Sequence, residues 1–206
     1  MKTYTNEING IKFKFSVEES LYPQTQALLQ AIKTIPQGKL RNGFKIEIGF
    51  SVFILVETAE GYNIIVPDYT KSPFSETTED LTIALWIQLE QTDLLRLYNL
   101  TGEPIRFDDK IVVAKNVLHE NQISLQRFSD LGESGWCVNA IEKNENGKFL
   151  NVTANDYESL YVYQLLKIRP SLIKALVLPY EYIVVFEGDT IIEILNEQDE
   201  SIVQIT

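Results

Sequence analysis

Several residue types that catalytic and metal sites depend on are scarce in this sequence. Its 206 residues include one histidine, one cysteine and one methionine. A zinc site of nitrogen and sulfur ligands normally takes about three or four such side chains. A cysteine nucleophile needs a base, so Cys137 and His119 would have to meet, yet Cys137 lies among apolar residues where a thiol is more typical of packing. We predict no catalytic residue, no metal site and no cofactor.

Motifs for phosphate, dinucleotide and acyl chemistry are missing as well. The sequence contains no P-loop, no G-x-G-x-x-G and no G-x-S-x-G. Adjacent acids occur at 18–19, 79–80 and 108–109, but neighbours on a helix or strand do not face one another, so adjacency alone gives no shared site. We therefore predict that the protein is not an enzyme.

Long hydrophobic runs are also lacking. Runs such as Val52–Val56 are far too short to span a bilayer, and the first residues lack the apolar core of a signal peptide. A single cysteine cannot form an internal disulfide, which indicates a reducing compartment. We expect a cytoplasmic protein with no membrane contact.

Basic residues are few relative to acidic ones. Lys and Arg total 18 against 29 Asp and Glu, a formal net charge of -11. Residues 1–104 hold 9 basic and 13 acidic side chains, and residues 105–206 hold 9 and 16, so the acidity is distributed along the chain. Such a charge repels nucleic acid but favours solubility and fast association with a basic partner.

The hydrophobic pattern predicts an α+β fold. Alternating or continuous apolar residues predict strands over 11–15, 44–56, 62–66, 111–113, 135–141, 182–186 and 191–195. Helical spacing predicts helices after Pro23 and over 81–98, 157–168 and 171–176, the third preceded by a capping residue, Asn155. Turn residues predict hairpins at 60–61, 146–147 and 188–189, and 120–130 is ambiguous, with a helical turn as one reading.

Strands and helices are mixed without regular βαβ alternation. This order favours mainly antiparallel sheets with packed helices over a doubly wound sheet. Thr101–Asp109 contains the helix-ending Gly102 and Pro104 and is the candidate boundary. We predict two sequential units, an N-terminal α+β domain over 1–104 and a C-terminal one over 109–206.

One segment, Gly132–Val138, joins a polar loop to a predicted strand and places a tryptophan at the junction. One interpretation is a turn followed by a core tryptophan. The other is a rigid aromatic anchor at a loop edge where a partner docks. On the second interpretation Glu133, Ser134, Gly135 and Trp136 form a partner-binding site.

Around this segment the second half resembles the S-G-W immunity-protein domain of bacterial polymorphic toxin systems. The resemblance covers Asp109 to Leu195. It rests on the apolar strand 111–115, the acidic-Ser-Gly-Trp run 133–136, the Tyr-rich segment 157–168, the Pro/Leu series 170–179 and the closing strand 182–186. It implies a small α+β protein that neutralises a toxin made by its own cell, by binding it.

The favoured function is therefore a non-catalytic protein-binding module, an immunity protein whose partner is a cognate toxin, with a basic toxin suited to the acidic surface. A second hypothesis is a small-ligand-binding protein or hydrolase that uses carboxylates and tyrosines such as Tyr157, Tyr161 and Tyr163. A structural or regulatory subunit is the third.

Overall fold

In a computed structural model of the protein, residues 1–141 and 156–203 are described. The chain divides into two compact units, Met1–Glu90 and Gln91–Thr206. Within the described ranges each unit contains a six-stranded sheet, and most neighbouring strands pair antiparallel. The α+β prediction is confirmed, while the domain limits 1–104 and 109–206 stay a prediction.

The first unit contains six strands and a helix, and a second helix begins in it. The elements are β1 (Lys2–Ile8), β2 (Ile11–Val17), α1 (Thr25–Thr34), β3 (Lys45–Ile48), β4 (Ser51–Thr58), β5 (Gly61–Pro67), β6 (Thr77–Thr78) and α2 (Thr82–Leu97). The strand order is β1-β2-β5-β4-β3, and β6 pairs with β5. Short 3-10 turns at Glu19–Gln24 and Gln37–Lys39 flank α1.

In the first sheet, the alternation of apolar and polar residues explains which side chains are buried. In β2 the side chains of Phe13 and Phe15 are fully buried, whereas Lys12 and Lys14 are exposed. Helix α1 buries its apolar side, which includes Ile32, so the sheet has one core-facing surface covered by helical residues.

The predicted turn at 60–61 joins β4 to β5, as the pairing of Thr58 with Gly61 shows. Gly61 also starts the parallel pairing of β5 with β2, opposite Lys12. Its φ is +146°, and a Cβ added there would lie 2.1 Å from the Lys12 carbonyl oxygen. Only glycine fits this close approach of two backbones.

The second unit continues from α2 with a second series of strands. The elements are β7 (Lys110–Ala114), β8 (Gln122–Arg127), β9 (Trp136–Ala140), β10 (Tyr157–Tyr161), α3 (Leu165–Ile168), β11 (Ile183–Glu187) and β12 (Thr190–Leu195). Short 3-10 stretches occur at Val117–His119, Val162–Gln164 and Pro170–Val177. The strand order is β10-β7-β9-β8-β11-β12, in which only β7 and β9 are parallel neighbours.

The two faces of this second sheet differ in burial. The inner face carries fully buried side chains such as Ile111, Leu125, Trp136 and Phe186. We call the opposite surface the outer face, and strand register places on it Val112, Ser124, Gln126, Cys137, Asn139, Tyr157, Ile183, Val185, Glu187, Glu193 and Leu195. Except for buried Cys137 and exposed Glu187, these side chains are half-buried.

Several sequence predictions differ from the structure. The single strand predicted over 44–56 is wrong, because this segment turns at 49–50 and forms two antiparallel strands, β3 and β4. The helix predicted over 157–168 is wrong, because 157–161 is strand β10 and only 165–168 is α-helical. Pairing of β10 with the edge of β7 overrides the helical spacing of its tyrosines. The ambiguous 120–130 segment contains strand β8, and strand β1 was not predicted. The hairpin predicted at 146–147 and the cap at Asn155 lie outside the described residues.

We predict that Gly61→Ala destabilises the protein by at least about 2 kcal/mol, because the new Cβ must displace backbone. Thermal melting should show a fall of roughly 5 °C or more. Gly38→Ala is the matched control, since a Cβ there meets nothing within 4 Å. Equal melting temperatures for the two variants would contradict this role of Gly61.

Candidate functional site

A buried arginine lies at the end of β8. The side chain of Arg127 is 1% exposed, and its guanidinium donates hydrogen bonds to backbone carbonyls of several separate segments. The acceptors are the carbonyl oxygens of Ser134 (3.0 Å), Leu178 (2.7 Å), Glu103 (3.3 Å) and Pro104 (3.2 Å). A buried cation must be satisfied in this way, or its desolvation would oppose folding.

Aromatic rings complete the surroundings of Arg127. The guanidinium carbon lies 4.4 Å from the centre of the Tyr180 ring and 5.6 Å from that of Trp136. Both distances are within the range of cation–π attraction. Burial lowers the pKa of Arg127, yet a guanidinium remains protonated in proteins, so the cluster holds a permanent positive charge.

Ser134 connects the starts of β7 and β9. Its hydroxyl donates to the Lys110 carbonyl oxygen at 2.6 Å and accepts from the Trp136 backbone N–H at 3.2 Å. The side chain is 1% exposed. The hydroxyl therefore satisfies two backbone groups where the parallel β7–β9 pair begins. An apolar residue at this position would leave both groups without this partner.

Gly135 is required by both space and backbone conformation. Its φ is +76°, and a Cβ there would lie 2.3 Å from the Phe128 carbonyl oxygen and 3.0 Å from the Tyr180 ring. The Phe128 N–H donates to the Gly135 carbonyl oxygen at 2.8 Å, so the two backbone segments are in close contact. A residue with a side chain would separate them.

Trp136 fills the core of the second unit. Its side chain is 0% exposed, and its indole N–H donates to the Leu176 carbonyl oxygen at 2.9 Å. Leu176 belongs to the 3-10 stretch Pro170–Val177. The tryptophan thus joins the inner face of the sheet to the helical layer and satisfies its polar atom.

The four predicted partner-binding residues lie together in one segment but at different depths. Ser134, Gly135 and Trp136 are buried, whereas Glu133 is exposed. The structure thus assigns three of them to the core around Arg127 and leaves only the Glu133 side chain available at the surface.

Glu133 lies near a pair of acids at the start of β7. Burial raises the pKa of the half-buried Asp109, and the Asp108 and Glu133 carboxylates add to the rise. Asp109 accepts the Arg106 backbone N–H at 2.7 Å, and Asp108 accepts from the Arg106 Nε at 3.1 Å. The acidic pair 108–109 therefore stabilises a turn, which sequence adjacency did not indicate.

A second buried arginine, Arg169, repeats the pattern of Arg127. It follows α3, is 7% exposed, and donates to the carbonyl oxygens of Glu120 at 2.7 Å, Leu118 at 3.4 Å and Gly188. Asp189, mostly exposed, lies 3.9 Å from its Nε. The sequence alone does not mark either arginine as buried, because Gln126 and Ser129 lie near Arg127 and Lys167 lies near Arg169.

The outer face contains a cavity of about 670 Å³. Strand residues Val112, Cys137, Asn139 and Tyr157 form its base, and the segment 128–131 supplies Phe128, Asp130 and Leu131. Sequence reasoning missed this site because its base combines three strands, one of them predicted as a helix.

The polar atoms at the base of the cavity form a chain of hydrogen bonds. The Tyr157 hydroxyl donates to the Asn139 Oδ1 at 2.6 Å, and the Asn139 Nδ2 donates to the Cys137 Sγ at 3.4 Å. Burial raises the pKa of the Cys137 thiol and that of Tyr157. A raised thiol pKa disfavours the reactive thiolate at neutral pH.

The tyrosines of the ligand-binding hypothesis separate in the structure. Tyr157 lines the cavity, while Tyr161 and Tyr163 stack on each other with ring centres 6.1 Å apart. Over residues 1–141 and 156–203, no group of three or more His, Cys, Asp or Glu side chains could hold a metal ion. No helix in this part of the chain is long and apolar enough to cross a membrane.

We predict that Trp136→Ala destabilises the protein by about 3–5 kcal/mol, because it leaves a large cavity and an unpaired Leu176 carbonyl. Urea unfolding monitored by circular dichroism would measure the loss. The matched control is Trp86→Ala, at a half-buried position of α2, where a clearly smaller loss is expected. Equal losses would contradict the central position of Trp136.

We also predict that Asp109→Asn stabilises the protein at pH 7 and not at pH 3. Below the ordinary aspartate pKa of 3.8 the group is protonated in both states. As the pH rises, the unfolded chain ionises first, so the wild type loses stability through the raised folded pKa. Asparagine cannot ionise and can still accept the Arg106 N–H. The measurement is the free energy of unfolding at both pH values.

Asp199→Asn is the control for this pH experiment, because Asp199 is exposed in the turn after β12. A gain of the same size in that variant would attribute the effect to reduced net charge, and no gain at Asp109 would contradict the burial argument.

Comparison with known proteins gives one finding. A family model described as the Imm33-like domain matches residues 90–197, more than half of the chain and a range that includes both buried arginines and the cavity. No curated protein and no solved structure matches. The prediction of an immunity-protein-like domain is confirmed at the level of the family. The chain belongs to the Imm33-like domain family.

Proposed function

We propose that this chain is a non-catalytic immunity protein that neutralises a cognate toxin in the cytoplasm by binding it directly. Membership in the Imm33-like family supports an immunity role. The observation that carries the proposal is the outer face of the second sheet, which remains partly exposed while the inner face is buried.

The chemistry of the outer face resembles that of a protein interface. Its centre combines half-buried apolar residues, such as Val112 and Val185, with the uncharged polar residues Ser124, Gln126 and Asn139. Interfaces commonly have a centre depleted in charge and a polar rim. This distribution favours a folded protein partner.

The rim of the outer face carries more acids than bases, although Lys110 of β7 is exposed on this face as well. Glu187 and Glu193 lie on β11 and β12, and Asp130 lies beside the cavity on the opposite side. Together with the net charge of -11, these carboxylates favour a partner whose contact surface is basic, because complementary charge accelerates association and selects the partner.

We also propose that the chain belongs to the S-G-W group, and that the residues of its acidic-Ser-Gly-Trp run, 133–136, have different roles in binding. Glu133 contacts the toxin, because its side chain is exposed. Ser134, Gly135 and Trp136 contribute to binding by holding the segment 128–133 in position against Arg127.

The first experiment is co-expression with the protein encoded by the adjacent gene, followed by pull-down and a growth assay. A stable complex and rescued growth are expected, with an association rate that falls as salt rises. The absence of both complex and rescue would contradict the immunity function.

A variant of the outer face locates the interface. Gln126→Arg places a bulky cation at its centre, and we expect the dissociation constant to rise at least about tenfold, measured by calorimetry with the same toxin. Gln30→Arg, on the exposed side of α1, is the matched control with unchanged affinity. Normal affinity in Gln126→Arg would move the interface away from this face.

A further inference from the structure

The cavity on the outer face has one apolar side. Val112 from β7 and Phe128 and Leu131 from the neighbouring segment line it. The cavity is open to solvent on one side, and its volume of about 670 Å³ is large enough to receive a ligand or a large side chain. These walls favour methylene groups or a flat group stacked on the phenyl ring.

The polar side of the cavity offers two hydrogen-bond acceptors to an occupant, the Tyr157 hydroxyl oxygen and the Asp130 carboxylate. Because Tyr157 donates its hydroxyl hydrogen to Asn139, its oxygen can still accept a hydrogen bond from an occupant. Asp130 adds an exposed carboxylate at the mouth, and none of the lining residues that the structure describes is Lys or Arg. An occupant that donates hydrogen bonds and carries positive charge would therefore match the site.

We propose that the cavity receives an arginine side chain of the toxin, with its methylenes between Val112 and Leu131 and its guanidinium bonded to Asp130 and the Tyr157 oxygen. This inference rests on the proposed immunity function. The cavity opens on the same outer face as the uncharged centre formed by Ser124 and Gln126, so one partner can cover both.

Arginine fits better than lysine on chemical grounds. Its guanidinium is planar, more weakly hydrated than an ammonium, and able to stack on an aromatic ring such as that of Phe128 while it donates sideways to two acceptors. A lysine ammonium would keep more of its hydration shell and could not stack in this way.

Occupation can be measured through Cys137, the single cysteine of the chain, which lies at the base of the cavity. Alkylation by iodoacetamide at a pH of about 8.5, followed by intact mass, gives its labelling rate. The probe is N-acetyl-arginine methylamide, and near saturation it should slow labelling at least about threefold, because it occludes the thiol.

Two analogues define the chemistry. N-acetyl-norleucine methylamide has the apolar stem without the cation, and N-acetyl-lysine methylamide has the stem with an ammonium. Both should protect Cys137 less than the arginine probe at equal concentration. Equal protection by either analogue, or no protection by arginine up to its solubility limit, would overturn the proposal.

The role of Asp130 is tested by substitution. Asp130→Asn should raise the half-protecting concentration of the arginine probe about threefold, the size expected for loss of a partly exposed charge pair. Asp199→Asn makes the same chemical change in an exposed turn away from the cavity and should leave the value unchanged. An unchanged value in Asp130→Asn would overturn the assignment of the guanidinium to this carboxylate.

Capture of the adjacent-gene toxin separates this inference from the function on which it rests. If the wild type binds the toxin and the toxin protects Cys137, with weaker binding by Asp130→Asn, both stand. If the wild type binds the toxin but Cys137 is labelled at the free rate, the cavity proposal fails and the immunity function remains. If the toxin is not bound at all, the immunity function fails. The proposal that an arginine of that toxin occupies the cavity then fails as well.

Discussion

The buried guanidinium of Arg127 must be surrounded by hydrogen-bond acceptors, and in the second unit they come from backbone segments distant in sequence. Residues 103–104, 134 and 178 each present a carbonyl oxygen to it. Because an unsatisfied buried charge would cost several kcal/mol, these segments are constrained to meet at one point. The geometry of Ser134, Gly135 and Trp136 follows from that constraint.

Much of the fold could be predicted because the strands are either alternating or short and apolar between turn residues. Strand β2 alternates and specifies one buried face, whereas β5 and β11 contain continuous apolar runs. Strand β10 could not be recognised, because its tyrosines also satisfy helical spacing and its strand conformation depends on pairing with β7. The secondary-structure propensity of a segment is a weak predictor where a neighbouring strand supplies the backbone hydrogen bonds.

The candidate site was predictable only in part. The sequence drew attention to 133–136, since a tryptophan after serine and glycine at a loop edge is unusual, but burial of that tryptophan depends on Leu176, forty positions away. The cavity required the register of β7, β9 and β10 together with the position of Phe128. Such long-range contacts have no local signature in a single sequence.

Because only one face of the second sheet is fully buried, the residues of each strand that form the core are different from those that form the surface. Inward residues such as Leu125 and Val184 maintain the core, while their immediate neighbours Ser124 and Val185 face outward. Substitutions at the outward positions change surface chemistry and leave inner packing intact. A family built on this sheet could therefore vary the chemistry of its outer face at nearly constant stability, one alternate position at a time.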